Sequence, residues 1–241
     1  WLFKTHRKNA QDSRILTLLE VEAFLEIHRA WNRLGYPFDA LVPSYATAIG
    51  SSADRPSALT ELVGIIVNDG VRYPTVRVER LHFAAGTPYE TVMGREGSVG
   101  QRVLPHEVAA VLRRSLIDVA EKGTARRIRG AFLQANGSAI VVGGKTGTGD
   151  NRHDVFGPKG VLIESRILNR AAVFVFLIGD RFFGTMTAYV PGPEASNYGF
   201  TSALPVEIFK ILALKLMPLI DQAHRSSGPA SKDKPASERG V

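Results

Sequence analysis

The stretch Val141-Val142-Gly143-Gly144-Lys145-Thr146-Gly147-Thr148-Gly149 constrains this chain more than any other. An apolar run leads directly into two glycines, a lysine and alternating threonine and glycine. That is a strand with little side-chain bulk over its second half. Glycines here let another backbone approach closely. Side chains alternate across a strand, so Thr146 and Thr148 project their hydroxyls from one side. Lys145 adds a fixed positive charge beside them. Together these groups suit an extended peptide ending in a carboxylate: strand-edge hydrogen bonds would hold its backbone, and the lysine and two hydroxyls its anion.

Two other readings use the same residues. One is a strand with a glycine-rich turn and a lysine of no special role. The other is a phosphate-binding P-loop, which also ends in Gly-Lys-Thr. That motif needs a glycine five residues before Gly144, where this chain has Ala139, and a helix after the lysine. Gly149-Asp150-Asn151-Arg152 does not begin a helical pattern.

Composition narrows the class. The 241 residues are 44% hydrophobic and 22% charged, as in an ordinary globular protein. No apolar run approaches the roughly 20 residues a membrane-crossing helix needs. The longest are 171–178 and a stretch over 208–220 broken by Lys210, Lys215 and Pro218. With no cysteine there are no disulfides, thiolate nucleophiles or cysteine-ligated metals. The net charge of +7 is scattered, apart from Arg113-Arg114 and Arg126-Arg127-Ile128-Arg129. No basic helix with interleaved aromatics appears, so no nucleic-acid partner is expected.

Hydrophobic periodicity predicts helices over 14–34, 56–69, a stretch opened by Pro105 and stopped by Gly123, and 202–217. A half-buried strand is expected over 75–83, followed by a long loop over 84–103. Strands are expected at 139–142 running into the Gly-Gly-Lys, at 171–178 and at 185–190, the last two joined as antiparallel neighbours. Helices first, then meandering strands, then a closing helix argue for an α+β fold, an antiparallel β-sheet packed by helices.

The order of motifs over residues 35–216 resembles the back half of the transpeptidase domain of class A (bifunctional) penicillin-binding proteins. Pro43-Ser44 with Gly50 resembles that family's Pro-Ser-x-x-x-x-x-Gly stretch, and the helix from Pro56 ending in Asp69-Gly70 resembles the one that follows it. Gly123-Thr124-Ala125 resembles the Gly-Thr-Ala that precedes the lysine motif, and Lys145-Thr146-Gly147-Thr148 resembles the motif itself.

The resemblance implies acyl transfer on peptidoglycan. A serine attacks the D-Ala-D-Ala terminus of a stem peptide, D-Ala leaves, and an amine from a neighbouring stem resolves the acyl-enzyme; β-lactams acylate the same serine. It implies that Lys145 and Thr148 are catalytic, Lys145 supporting the site electrostatically and the Thr148 N–H serving as an oxyanion donor. It also implies that Thr146, Gly147 and Thr148 bind substrate, with Gly147 keeping the strand slim. No cofactor or metal is implied. Peptidoglycan stem peptide is the expected partner, with β-lactams binding if the full domain is present. The expected location is the extracytoplasmic face of the cell membrane, with a membrane anchor upstream of this chain.

The family also requires Ser-x-x-Lys and Ser-x-Asn ahead of the lysine strand. The chain's only Ser-x-x-Lys is Ser231-Lys232-Asp233-Lys234, after it, and no Ser-x-Asn exists; Ser13-Arg14-Ile15 lies near the required place, but isoleucine offers no hydrogen bond. The expected organisation is a truncated or irregular N-terminus over 1–13, the C-terminal portion of a transpeptidase domain over 14–220, and a disordered tail over 221–241. The alternative is a non-catalytic peptide-binding or scaffolding relative of the same fold. His153, Asp150 and Asp154 are expected in a polar loop after the lysine motif. Phe174, Phe176, Phe182 and Phe183 are expected in the core, and no pair of the six histidines has ligand spacing.

Overall fold

A computed structural model describes residue 4 and residues 6–94, 97–134, 136–158 and 161–226, with 224–226 described by backbone alone. The described residues form four α-helices, α1 (Lys8–Arg33), α2 (Pro56–Val67), α3 (His106–Glu121) and α4 (Ala203–Ser226), of which α2, α3 and α4 pack on a three-stranded antiparallel sheet. Two small two-stranded ladders lie between α2 and α3. One pairs β1 (Val71–Arg72) with β4 (Gln101–Arg102), the other β2 (Arg80–Phe83) with β3 (Thr91–Gly94). The main sheet runs in the order β5 (Val142–Phe156), β6 (Leu162–Ile178), β7 (Phe182–Pro191).

Both faces of that sheet are covered over the second half of β6, which is why 171–178 reads as a continuous apolar run. Even-numbered residues of β6 face α4: Phe174 and Ile178 pack with Phe209, Val206, Ala213 and Ile220, joined by Ile128 and Phe132. The rings of Phe176 and Phe209 lie 4.2 Å apart. Odd-numbered residues face α2 and α3, where Leu177 meets Val63 and Val67, with Leu116, Ile117 and Phe183 around them. The four phenylalanines assigned to the core are there.

Several elements differ from the sequence expectation for identifiable reasons. The loop over 84–103 contains two strands, and of the strand over 75–83 only β2 forms, exposed along its whole length. Among the described residues nothing covers either strand of the β2–β3 hairpin, so its apolar residues mark cross-strand pairing, not a buried face. The polar segment 150–156 is not a loop but the far half of β5. Its charges pair across the ladder with β6: Asp150 lies opposite Arg170, and the Arg152 Nε donates to the Ser165 hydroxyl at 3.0 Å.

The closing helix runs past Pro218 to Ser226, through the start of the stretch expected to be disordered. Ile220, 4% exposed, packs in the main core, and tertiary contact overrides a proline whose missing N–H forfeits one helical bond. The remainder of that tail, with Ser231-Lys232-Asp233-Lys234, lies outside the described residues. At the other end, α1 begins at Lys8, within the stretch expected to be irregular. Its one buried residue is Phe24, edge-to-face with Tyr45, while Ile15, Leu18 and Leu19 are exposed. Among the described residues no helix is long and apolar enough to cross a membrane.

Candidate functional site

The lysine motif lies in the first half of β5, hydrogen-bonded to β6 along one edge only; among the described strands nothing pairs with its other edge. An unpaired edge is a row of backbone donors and acceptors ready to take another extended chain.

Alternation splits the motif between two faces. Gly143, Lys145 and Gly147 face the α3 side, where a Cβ on Gly143 would stand 2.9 Å from the Ile117 backbone nitrogen. Gly144, Thr146 and Thr148 face the α4 side. A Cβ on Gly144 would come within 2.3 Å of the Val175 carbonyl oxygen and 2.5 Å of the Phe174 ring. These two glycines are therefore fixed by packing. Gly147 is different, with no atom within 4 Å of where its Cβ would stand.

The hydroxyls are placed by two elements distant in sequence. Thr146 is buried, and its Oγ1 lies 2.5 Å from the Oγ1 of Thr124, just before the short 3₁₀ turn Arg126–Ile128. Thr148 is exposed, and its Oγ1 accepts the backbone N–H of Ser202 at 2.8 Å, where α4 begins. Accepting that bond leaves the Thr148 hydroxyl proton free to donate outward. Lys145 is also exposed; its ammonium donates to the Thr146 carbonyl at 2.6 Å and, among the described residues, forms no ion pair. An exposed cation without a carboxylate partner and a hydroxyl with a free proton thus flank the open edge.

Asp150 and Arg170 anchor the far end of the motif. The Arg170 Nη1 donates to Asp150 at 3.0 Å, its Nε donates to the Phe200 carbonyl at 2.9 Å, and its guanidinium lies over the Phe200 ring. Asp150 is therefore engaged in a structural pair that ties the approach to α4 onto the sheet. His153 and Asp154 lie on the same hairpin, across from Arg166 and Ser165. No group of three potential metal ligands occurs among the described residues.

Neither of two cavities in the structure is lined by β5. One, of about 660 Å³, lies between the end of α1 and the β1–β4 ladder and is lined by Arg33, Arg72 and Arg102 among others. The second, of about 380 Å³, lies on the side of α2 away from the sheet. Among the described residues, the free edge of β5 therefore faces solvent with no adjoining cavity.

Of the four residues assigned from sequence, Lys145, Gly147 and Thr148 line this edge, while Thr146 turns its hydroxyl inward. Thr124 and Ser202, which hold the threonines, escaped the sequence reading as site residues. Thr124 was visible only as part of Gly-Thr-Ala, and nothing in the sequence pointed to Ser202.

No protein-family model matches the sequence, and no curated protein matches it either. Solved structures do. Penicillin-binding protein 3 from Mycobacterium tuberculosis, complexed with aztreonam, superposes with a TM-score of 0.51 at 17% identity, covering 85% of this chain and 47% of that one. The same protein complexed with ampicillin gives 0.51 at 18% identity, covering 86% and 47%. The chain thus spans about half the length of the solved chains it matches. At such identities the likeness is one of fold. With helices on both faces of an antiparallel sheet and the lysine motif along its open edge, that fold is the penicillin-binding-protein transpeptidase fold, of which this chain makes up part.

Proposed function

We propose that this chain forms the β5 wall of a peptidoglycan D,D-transpeptidase site and binds the D-Ala-D-Ala end of a stem peptide as an added strand. The observation that carries the reading is the open edge of β5 among the described strands, flanked by Lys145, which forms no ion pair with a described residue, and by Thr148 with its proton free. The peptide's backbone would bond to the edge. Its terminal carboxylate would accept a hydrogen bond from the Thr148 hydroxyl and feel the field of Lys145, in the charge-assisted geometry such anions favour. Thr146 would brace the strand through Thr124, and the open space at Gly147 would let the substrate lie flat. In the assembled enzyme the Thr148 N–H would stabilise the oxyanion as a serine attacks the penultimate carbonyl. That work belongs outside the cytoplasmic membrane, where peptidoglycan is cross-linked.

The serine must come from a segment not contained in these 241 residues, since no Ser-x-x-Lys precedes the lysine strand. The same observation favours a second reading, a peptide-binding relative without chemistry. Both readings share the β5 edge, and one experiment addresses it. Titration of the chain with diacetyl-Lys-D-Ala-D-Ala, followed by amide NMR, should shift Gly147, Thr148 and their neighbours, and Lys145→Met should remove the response. Shifts confined to other elements, or an equal response to the L-Ala-L-Ala peptide, would refute the site.

A further inference from the structure

The cavity of about 380 Å³ lies on the far side of α2 from the sheet and takes no residue from β5. It exists because α2 is apolar on two sides. Val63 and Val67 face the sheet, leaving Leu59 and Leu62 turned the other way with Ile66 beside them. The segment after α1 wraps over these residues and satisfies its own polar groups. The Thr47 hydroxyl donates to the Val42 carbonyl at 2.6 Å and lies 3.0 Å from the Ser52 hydroxyl. The Tyr36 hydroxyl approaches the carbonyls of Ala40 and Ala53 at 3.3 and 3.4 Å. What remains facing the hollow is hydrocarbon and one carboxylate, Asp54.

Among the described residues that carboxylate forms no ion pair, and the nearby Arg55 charge only partly offsets its burial. Its Oδ1 accepts the Arg55 N–H at 2.7 Å, but the Arg55 guanidinium lies over the Phe38 ring, 5.3 Å from its centre, and forms no ion pair with Asp54. Burial raises the Asp54 carboxyl above the ordinary range, and burial together with the Asp54 charge raises the Tyr36 phenol. An apolar hollow with a few convergent polar groups and perturbed ionisable residues is the usual form of a small-molecule site.

We propose that this cavity binds a small amphiphilic cation, its apolar part against Leu59, Leu62 and Ile66 and its amine against Asp54. The inference is independent of the β5 site, because the two share no residue.

Three probes of one shape and different charge test it on the 241-residue chain by calorimetry: 4-phenylbutylamine, 4-phenylbutanol and 4-phenylbutyrate. The amine should bind best and the carboxylate worst, with the amine favoured over the alcohol by about tenfold, as a charge-assisted hydrogen bond gives. Asp54→Asn should bring amine and alcohol to equal affinity. Intermolecular NOEs from the phenyl ring should fall on the methyls of Leu59 and Leu62. Equal affinity for amine and carboxylate, a preference that survives Asp54→Asn, or NOEs to other residues would each overturn the proposal. The NOE readout needs no variant, so a folding defect in Asp54→Asn would not rescue it.

Discussion

The side-chain oxygens of Thr124 and Thr146 lie 2.5 Å apart, joining the segment after α3 to the lysine strand. Thr146 is 8% exposed whereas Thr124 is exposed, so only the Thr146 hydroxyl cannot exchange this bond for water without opening the packing around it. Thr124→Val should leave the buried Thr146 hydroxyl unsatisfied, at about 1–3 kcal/mol, whereas Thr146→Val leaves an exposed hydroxyl that water can satisfy. Replacing both should be milder, because the pair is then apolar on each side. Urea unfolding of Thr124→Val, Thr146→Val and the double variant should therefore show a double loss smaller than the sum of the single losses. Additive losses would mean that the two hydroxyls do not depend on each other.

The glycines of the motif should separate by role. Gly144→Ala places a methyl within 2.3 Å of a backbone oxygen that β6 pairing holds in place. It should cost upwards of about 2 kcal/mol, the range of an overpacked core, or prevent folding. Gly147→Ala meets nothing within 4 Å and should unfold at nearly the same urea concentration as the parent chain. If Gly147 keeps the edge clear for a peptide, its variant should instead lose the NMR response to diacetyl-Lys-D-Ala-D-Ala. Unchanged binding would detach Gly147 from the site.

Much of this arrangement is legible in the sequence where burial writes a pattern. The apolar run of β6, the helices opened by Pro56 and Pro105, and the glycine-lysine-threonine strand all show themselves because a covered surface selects their residues. The far half of β5 does not, since its pairing rests on cross-strand charge and hydrogen bonds such as Arg170 to Asp150, which leave no periodicity. The end of α4 is hidden for the opposite reason. Ile220 is buried by residues far away in the chain, so local composition around Pro218 misleads. The bonds from Thr124 to Thr146 and from Ser202 to Thr148 are likewise products of the fold, spanning 22 and 54 positions.

A fluorescent penicillin should not attach covalently to these 241 residues. No Ser-x-x-Lys precedes β5, and the Lys145 ammonium is turned onto the Thr146 carbonyl, not onto a serine. Denaturing gel fluorescence after incubation is the measurement. Stoichiometric label mapping by peptide mass to a serine within residues 1–220 would reveal a nucleophile the motif reading overlooks. Label that appears only when a chain carrying Ser-x-x-Lys is added would instead support a site shared between two segments.

Two carboxylates should respond to pH with opposite signs. Burial raises Asp54, so the folded chain holds that proton more tightly than the unfolded one. Its contribution is present below the ordinary Asp value of about 3.9 and is lost as pH rises through the folded value. Asp54→Asn should thus raise the urea midpoint at neutral pH, with the gain shrinking as the solution is acidified. Glu90 is lowered, first by the Gly86 N–H that its Oε2 accepts at 2.9 Å and then by His82 at 2.6 Å. Its contribution is present above the ordinary Glu value and is lost as pH falls through the folded value. Because it bridges the turn of the exposed β2–β3 hairpin, the loss should be local. Exchange of the Gly86 amide should quicken on acidification relative to its intrinsic rate, and Glu90→Gln should show that quickening already at neutral pH. A neutral-pH destabilisation by Asp54→Asn, or a Gly86 amide indifferent to Glu90, would show that the environment ascribed to that carboxylate is wrong.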